Sequence, residues 1–127
     1  MPPGRHILLV DDDPVLLSAV AEALRGEDYR VTAVSHFNPA LAALDDAANK
    51  PDILVTDIVM PGGVNGVALA RMARMRHPEI PAVYMTAYDI PGAEREVFGP
   101  LLRKPVEPSQ LVAAIEAEFA RLDVQNR

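Results

Sequence analysis

Short apolar runs alternate along the chain with longer segments in which apolar residues recur at helical spacing. The apolar runs predict five buried strands, at residues 6–10, 30–34, 53–56, 82–85 and 101–103. Helical spacing predicts helices at residues 14–25, 38–48 and 67–75, and a final helix with an apolar face of Leu111, Ile115, Phe119 and Leu122. This alternation favours a parallel sheet with right-handed crossovers.

Helix-start signals support two of these helices. Asp13 precedes Pro14 and is predicted to cap the first helix, and Asn38 precedes Pro39 in the same way at the second. Between the fourth and fifth strands only residues 92–97 have helical character, and proline and glycine lie on both sides of them. We therefore expect a shortened fourth helix.

The pattern as a whole predicts an α/β fold with a flavodoxin-like, doubly wound sheet. Its five parallel strands are expected in the order 2-1-3-4-5, with helices on both faces. No linker or repeat divides the chain, so residues 1–127 are expected to form one domain with a core at about 6–122. In such a sheet a ligand binds beyond the carboxyl ends of the strands, between the first and the third.

Composition and charge narrow the class of protein. Half of the 127 residues are hydrophobic and only 5% are aromatic, which indicates an aliphatic core. The absence of cysteine excludes disulfides and thiolate metal sites. No apolar run approaches the roughly 18 residues of a membrane span, and the first residues lack a signal peptide, so we expect a cytoplasmic protein without membrane insertion. The net charge of −6 argues against direct nucleic-acid binding.

Polar residues that could take part in a reaction or bind a ligand follow the predicted strands. Asp11, Asp12 and Asp13 end the first strand, Asp57 the third, Thr86 the fourth and Lys104 the fifth. In a parallel sheet these ends meet at one edge. Crowded carboxylates repel one another unless a cation intervenes, and Mg²⁺ prefers such hard oxygen ligands. A carboxylate can also attack phosphorus to give an aspartyl phosphate, so the edge suits phosphoryl transfer.

Four motifs at these strand ends, in order, resemble those of the receiver domains of response regulators in two-component signalling. They are VDDDP (10–14), TDIVMPGG (56–63), MTAY (85–88) and LRKPV (102–106). The resemblance extends from about His6 to Leu122. It implies a domain that takes a phosphoryl group from the phosphohistidine of a histidine kinase, and changes conformation in response.

The resemblance implies a role for each matching residue. Asp57 corresponds to the phosphoacceptor and also binds the metal, Asp12 to a direct metal ligand and Asp11 to a ligand acting through water. The backbone carbonyl of Val59 corresponds to a further metal ligand. Thr86 corresponds to the switch hydroxyl.

The fifth strand and its flanks carry the remaining correspondences. Lys104 corresponds to the lysine that contacts the phosphoryl group, and Pro105 to a proline that often follows through a cis bond. Val59 and Tyr88 correspond to positions that modulate the phosphoryl lifetime. Leu101 stands where many receivers carry a switch aromatic.

The resemblance also implies cofactors and partners. The metal is expected to be Mg²⁺, for which Mn²⁺ can substitute. The partner is expected to be a sensor histidine kinase or a phosphotransfer domain, and a weak homodimer is compatible with the family. The only chemistry expected of the domain is its own phosphorylation and dephosphorylation, so it is not predicted to be an enzyme.

Three departures from the family pattern affect the expected output. The loop after Pro61 reaches its glycine, Gly66, one residue later than usual, and the interval from Thr86 to Lys104 is a few residues short. The switch aromatic is absent at Leu101. We therefore expect residues 87–99 to lie at the low-stability end of the fold, to be partly mobile without phosphate, and to become ordered on phosphorylation. The sequence leaves open whether the receiver stands alone or belongs to a hybrid kinase.

Three rival functions fit parts of the pattern. A phosphohydrolase of the haloacid-dehalogenase type would carry its nucleophile on the first strand, within residues 11–13. A flavin or nucleotide binder of the same fold would need a glycine- or serine-rich first loop, whereas this loop is acidic. A degenerate receiver would serve only protein interaction, although Asp12, Asp57, Thr86 and Lys104 are all present.

Overall fold

The computed structural model describes residues 4–60, 66–89 and 92–125. The loop predicted at residues 60–66 therefore lies largely outside the described residues, as do residues 90–91 ahead of the fourth helix. No helix in the described residues has the length and apolar character needed to cross a bilayer.

Five strands form one parallel sheet. They are β1 (His6–Val10), β2 (Arg30–Val34), β3 (Ile53–Asp57), β4 (Ala82–Thr86) and β5 (Leu101–Arg103). Their order is β2-β1-β3-β4-β5, and every neighbouring pair is parallel, which confirms the predicted topology. The register pairs Val10 with Thr56 and Asp57 with Met85, so the carboxyl ends of the strands lie side by side.

The helices differ greatly in length. They are α1 (Pro14–Gly26), α2 (Phe37–Leu44), α3 (Gly66–Arg76), α4 (Ala93–Glu96) and α5 (Pro108–Gln125), with a 3₁₀ turn at Ala47–Asn49. The four residues of α4 confirm that the fourth helix is shortened. The 18 residues of α5 extend the predicted last helix in both directions.

One predicted helix start is correct and one is wrong. The Asp13 side chain accepts hydrogen bonds from the backbone N–H groups of Val15 and Leu16, so Asp13 caps α1. At α2 the N-cap residue is His36, and Asn38 already lies inside the helix. Proline is tolerated throughout a first turn, because the N–H groups there have no partner within the helix. Pro39 therefore locates the start of α2 only to within a turn.

The sheet separates two apolar cores. Alternate strand side chains, such as those of Ile7 and Leu9, pack with α1 and α5, whereas Leu8 and Val10 pack with α2 and α3. Every residue of β1, β3 and β4 is buried, and β5 is only partly covered. This burial fixes the central strands and thereby the residues that follow them.

Candidate metal and phosphoryl-acceptor site

Asp11 and Asp12 follow β1 directly. The backbone N–H of Asp11 donates to the carbonyl of Val34, which extends the β1–β2 ladder by one residue, and the Asp11 side chain is fully buried. Its Oδ1 accepts a hydrogen bond of 2.8 Å from the backbone N–H of Asp13. The Asp12 side chain is exposed. The chain therefore turns away from the sheet with one carboxylate held inside and the next directed to solvent.

Asp57 ends β3, and only 5% of its surface is exposed. The start of α3 lies against it: a Cβ on Gly66 would stand 2.1 Å from the carbonyl oxygen of Asp57. The N–H of Gly66 donates to the carbonyl of Ile58 over 2.6 Å. A glycine is needed where α3 begins, because any side chain there would displace the backbone that carries Asp57.

Lys104 connects the two buried carboxylates. Its backbone N–H donates to the carbonyl of Thr86, which extends the β4–β5 ladder beyond the last strand residue. Its ammonium lies 2.8 Å from Asp11 Oδ2 and 3.1 Å from Asp57 Oδ2, with 17% of the side chain exposed. One cation from the edge of the sheet thus reaches across to carboxylates on two inner strands.

This packing shifts two ionisation equilibria. Burial raises the pKa of Asp57 above its ordinary value, and the nearby Asp11 carboxylate adds to the effect, while bonds from Lys104 and from the Val59 backbone N–H oppose it. Burial alone would lower the pKa of Lys104, but its contacts with Asp11 and Asp57 outweigh burial and raise that pKa. Lys104 is therefore a permanent cation at neutral pH.

Asp11, Asp12 and Asp57 together suit a metal ion. Each offers a carboxylate oxygen, and these oxygens lie within 4.8 Å of one another. Oxygen donors of this kind fit Mg²⁺, which binds through one or two carboxylates and keeps several waters. Asp13 is not part of this group, because its side chain caps α1.

The remaining predicted residues lie on β4 and β5 or shortly after β3, β4 and β5. The buried Thr86 hydroxyl donates to the carbonyl of Tyr88 and accepts from its N–H, at 3.1 and 3.0 Å. The side chains of Val59 and Tyr88 are 39% and 60% exposed. Leu101 pairs with Tyr84 at the start of β5 and is partly buried. The Lys104–Pro105 peptide bond is cis.

Two contacts at this edge were not predicted from the sequence. The Lys104 ammonium was expected to meet a phosphoryl group, and the structure also pairs it with Asp11. Arg103 pairs with Asp89, and both side chains are exposed. Successive side chains of a strand point to opposite faces, so Arg103 must point away from Lys104 and from the carboxylates that Lys104 contacts. This alternation was the signal that Arg103 has a different partner. For the first contact no local signal exists, because 93 residues along the chain separate the partners.

The chain is similar in sequence to known proteins. The family model described as the response regulator receiver domain matches residues 7–116. The chain is 33% identical over 126 residues to the DNA-binding transcriptional regulator NtrC of Salmonella typhimurium, and 31% identical over 121 residues to the DNA-binding response regulator MtrA of Mycolicibacterium smegmatis. These matches cover 95% and 92% of this chain but only 26% and 51% of the relatives.

Solved structures agree with the family match. A response regulator receiver protein from Sinorhizobium medicae superposes with a TM-score of 0.83 at 32% identity, covering 92% of this chain and 95% of that one. A CheY-like receiver domain protein from Methanospirillum hungatei gives a TM-score of 0.85 at 22% identity, covering 96% and 98%, and so supports the fold alone. The chain belongs to the response regulator receiver domain family of two-component signalling.

Proposed function

We propose that Asp57 is the phosphoacceptor of this receiver domain. The observation that carries the proposal is the grouping of three carboxylates within 4.8 Å of one another, with the Lys104 ammonium against two of them. In the reaction an Asp57 oxygen attacks phosphorus, the N–P bond of a phosphohistidine breaks, and the histidine nitrogen keeps the electron pair. The product is an aspartyl phosphate.

Mg²⁺ is the proposed metal, with Mn²⁺ as a substitute. Asp12 and Asp57 would be direct ligands together with the backbone carbonyl of Val59, and Asp11 would act through water. The burial and the contacts of the two side chains support this division, because Asp11 is fully buried and Asp12 is exposed. Both Asp11 oxygens already have partners, Lys104 and the Asp13 N–H, whereas among the described residues no partner of the Asp12 side chain is found.

The transferred group spreads negative charge over three oxygens, so the domain contributes mainly position and compensating charge. We assign one oxygen to the metal, one to Lys104 and one to the Thr86 hydroxyl. The raised pKa of Lys104 keeps its charge in place. The metal would counter the raised pKa of Asp57 by favouring its ionised, nucleophilic form.

The donor is proposed to be a sensor histidine kinase or a phosphotransfer domain in the cytoplasm. The relatives' names describe DNA binding, but this chain spans about a quarter of one and half of the other. We therefore propose no DNA contact for the receiver itself. Its extent as a single domain over residues 1–127, a weak homodimer and the absence of enzymatic turnover stay predictions.

The test uses a small phosphodonor and intact-protein mass spectrometry. With acetyl phosphate and Mg²⁺ the wild-type protein should gain one phosphoryl group that hydroxylamine removes. Asp57→Asn should not be labelled. Asp13→Asn is the matched control, because asparagine also caps helices well, and it should be labelled like the wild type.

Three outcomes would contradict the proposal. Equal labelling of Asp57→Asn would place the acceptor elsewhere. A wild-type protein that stays unlabelled, even by a phosphorylated kinase, would be a degenerate receiver. Continuous turnover of p-nitrophenyl phosphate that survives Asp57→Asn but is lost in Asp12→Asn would indicate a hydrolase that uses the first strand.

A further inference from the structure

Two side chains of β4 hold the two ends of the segment that connects β4 to β5. Tyr84 and Thr86 are two residues apart and therefore lie on the same face of the sheet. The backbone N–H of Tyr88 donates to the Thr86 hydroxyl, and the backbone N–H of Phe98 donates to the Tyr84 hydroxyl over 3.4 Å. Each end of the segment thus has an amide that bonds to a hydroxyl of β4.

The amino end, residues 87–89, is held loosely. All three residues are exposed, and 60% of the Tyr88 side chain is open to solvent. Among the described residues, residues 87–89 have two polar contacts. One is with the Thr86 hydroxyl, and the other is the ion pair between Asp89 and Arg103. Both partners are exposed, and exposed ion pairs contribute little to the free energy of unfolding.

The carboxyl end is held by a stack of three side chains. The Arg74 guanidinium of α3 lies 3.8 Å from the centre of the Phe98 ring. The same ring meets Tyr84 edge-on, with centroids 5.9 Å apart at 83°. Tyr84 is fully buried, and Arg74 Nε donates to the carbonyl of Ile80, so both partners of Phe98 are themselves fixed.

The backbone beyond Phe98 is fixed as well. A Cβ on Gly99 would stand 1.8 Å from the carbonyl oxygen of Ala82, so the chain passes directly against β4. The N–H of Tyr84 then donates to the carbonyl of Pro100 over 2.8 Å.

We propose that Tyr84, Phe98 and Arg74 form an anchor that keeps the carboxyl end of this segment on α3 whether or not Asp57 is phosphorylated. The response to phosphorylation is then confined to the amino end, at residues 87–89, and it loosens that end, in contrast to the ordering of residues 87–99 that was expected from the sequence alone. This inference rests on the proposed function, in which the Thr86 hydroxyl bonds to a phosphoryl oxygen. To donate to a phosphoryl oxygen, Thr86 must withdraw its hydroxyl hydrogen from the carbonyl of Tyr88, which loosens the turn that this pair of bonds closes. Nothing in the reaction requires Tyr84 to release Phe98.

The two amides report on the two ends, and NMR hydrogen exchange measures each. On phosphorylation, exchange of the Tyr88 amide should become at least about tenfold faster, while that of Phe98 should change by less than about twofold. Phe98→Leu keeps an apolar side chain but removes the stack. It should accelerate exchange at residue 98 without phosphorylation and should let phosphorylation alter residue 98 too. Arg103→Gln, which breaks the amino-end pair, is the control and should leave the Phe98 amide unchanged.

Two results would overturn the anchor. One is a change at the Phe98 amide as large as that at Tyr88 when the wild type is phosphorylated. The other is unchanged exchange at residue 98 in Phe98→Leu. The intact mass of the same samples distinguishes a failure of the anchor from a failure of the proposed function. If Asp57 is not labelled, the proposed function has failed, and the unphosphorylated comparison of wild type with Phe98→Leu still decides whether the anchor exists.

Discussion

The residues at the carboxyl ends of the strands fall into two groups that are built differently. The acceptor side consists of β1, β3 and the residues directly after them, and the responder side consists of β4, β5 and their connection. On the acceptor side both strands have five fully buried residues and a neighbour on each side. On the responder side β4 is buried in the same way, but β5 is a three-residue edge strand, and the helix before it has four residues.

The difference shows where the domain needs precision. Metal and phosphoryl chemistry depends on carboxylates held at fixed separations, and inner strands supply that. A response needs a part that can change its hydrogen bonds at small cost, and the exposed residues 87–89 supply that. Between them stands Lys104, which belongs to the responder side in sequence but contacts the carboxylates of the acceptor side.

The largest effect is expected at the metal ligands of the acceptor side. Asp12→Asn should weaken Mg²⁺ binding by at least the roughly 10- to 100-fold that loss of an outer-shell group costs. Asp13→Asn removes a neighbouring charge but preserves the helix cap, so its effect should be much smaller. Titration followed by calorimetry or by NMR shifts measures both. Equal losses in the two variants would show that Asp12 is not a ligand.

Replacement of the glycines that lie against neighbouring backbone should give the next largest effect, a loss of stability. Gly66 tests the acceptor side and Gly99 the responder side. Gly66→Ala and Gly99→Ala would each bring a Cβ within about 2 Å of a carbonyl oxygen, and overpacking of this kind typically costs about 1–3 kcal/mol. Gly26→Ala is the control. No atom of the described residues lies within 4 Å of its added methyl group, and a compatible glycine replacement typically stabilises by about 0.4–1 kcal/mol.

Urea denaturation of the three variants measures these free energies of unfolding. Labelling with acetyl phosphate then distinguishes the sides, because Gly66→Ala should also impair phosphorylation of Asp57, whereas Gly99→Ala should leave it largely intact. Unchanged stability in Gly66→Ala would mean that α3 can move away from Asp57. That result would remove the contrast between a fixed and an adjustable side.

The smallest effect concerns the lifetime of the phosphoryl group. Val59 and Tyr88 follow Asp57 and Thr86 by two residues each and are exposed, and neither side chain can orient water as a carboxylate or an amide does. We expect the Val59→Asn, Tyr88→Glu double variant to lose its phosphoryl group faster than the wild type. Decay of the labelled protein, followed by mass spectrometry, tests this. Equal or slower decay in the double variant would refute it.

Much of the fold could be predicted from the sequence, since local signals determine it. The apolar runs at His6–Val10, Arg30–Val34 and Leu101–Arg103 have the bounds of the observed strands. Asp13 caps α1 because its side chain needs only the next turn of the same chain. The N-cap of α2 was misplaced by two residues, at Asn38 instead of His36, and the end of the helix by four. Asp45 ends the helix early, and Asp46 then caps a separate 3₁₀ turn.

The site was predicted less completely, for a physical reason. The order of strand ends places Asp11, Asp12, Asp57 and Lys104 at one edge, and the structure brings them together there. The stack on Phe98 has no such pattern. It joins a helix, a strand and a loop whose side chains meet only through their three-dimensional arrangement. Phe98 follows α4 and precedes Gly99 and Pro100, and this setting gives no sign of its partners.

The ammonium of Lys104 has a further electrical consequence. Three carboxylates and one ammonium leave two surplus negative charges, so a single divalent ion makes the group formally neutral. An anionic phosphodonor then meets no net repulsion from this group, although Asp13 keeps its charge beside it and the chain as a whole has a charge of −6. Monovalent ions would leave the edge negative. Approach of the donor should therefore depend on the valence of the bound cation more than on the ionic strength of the solution.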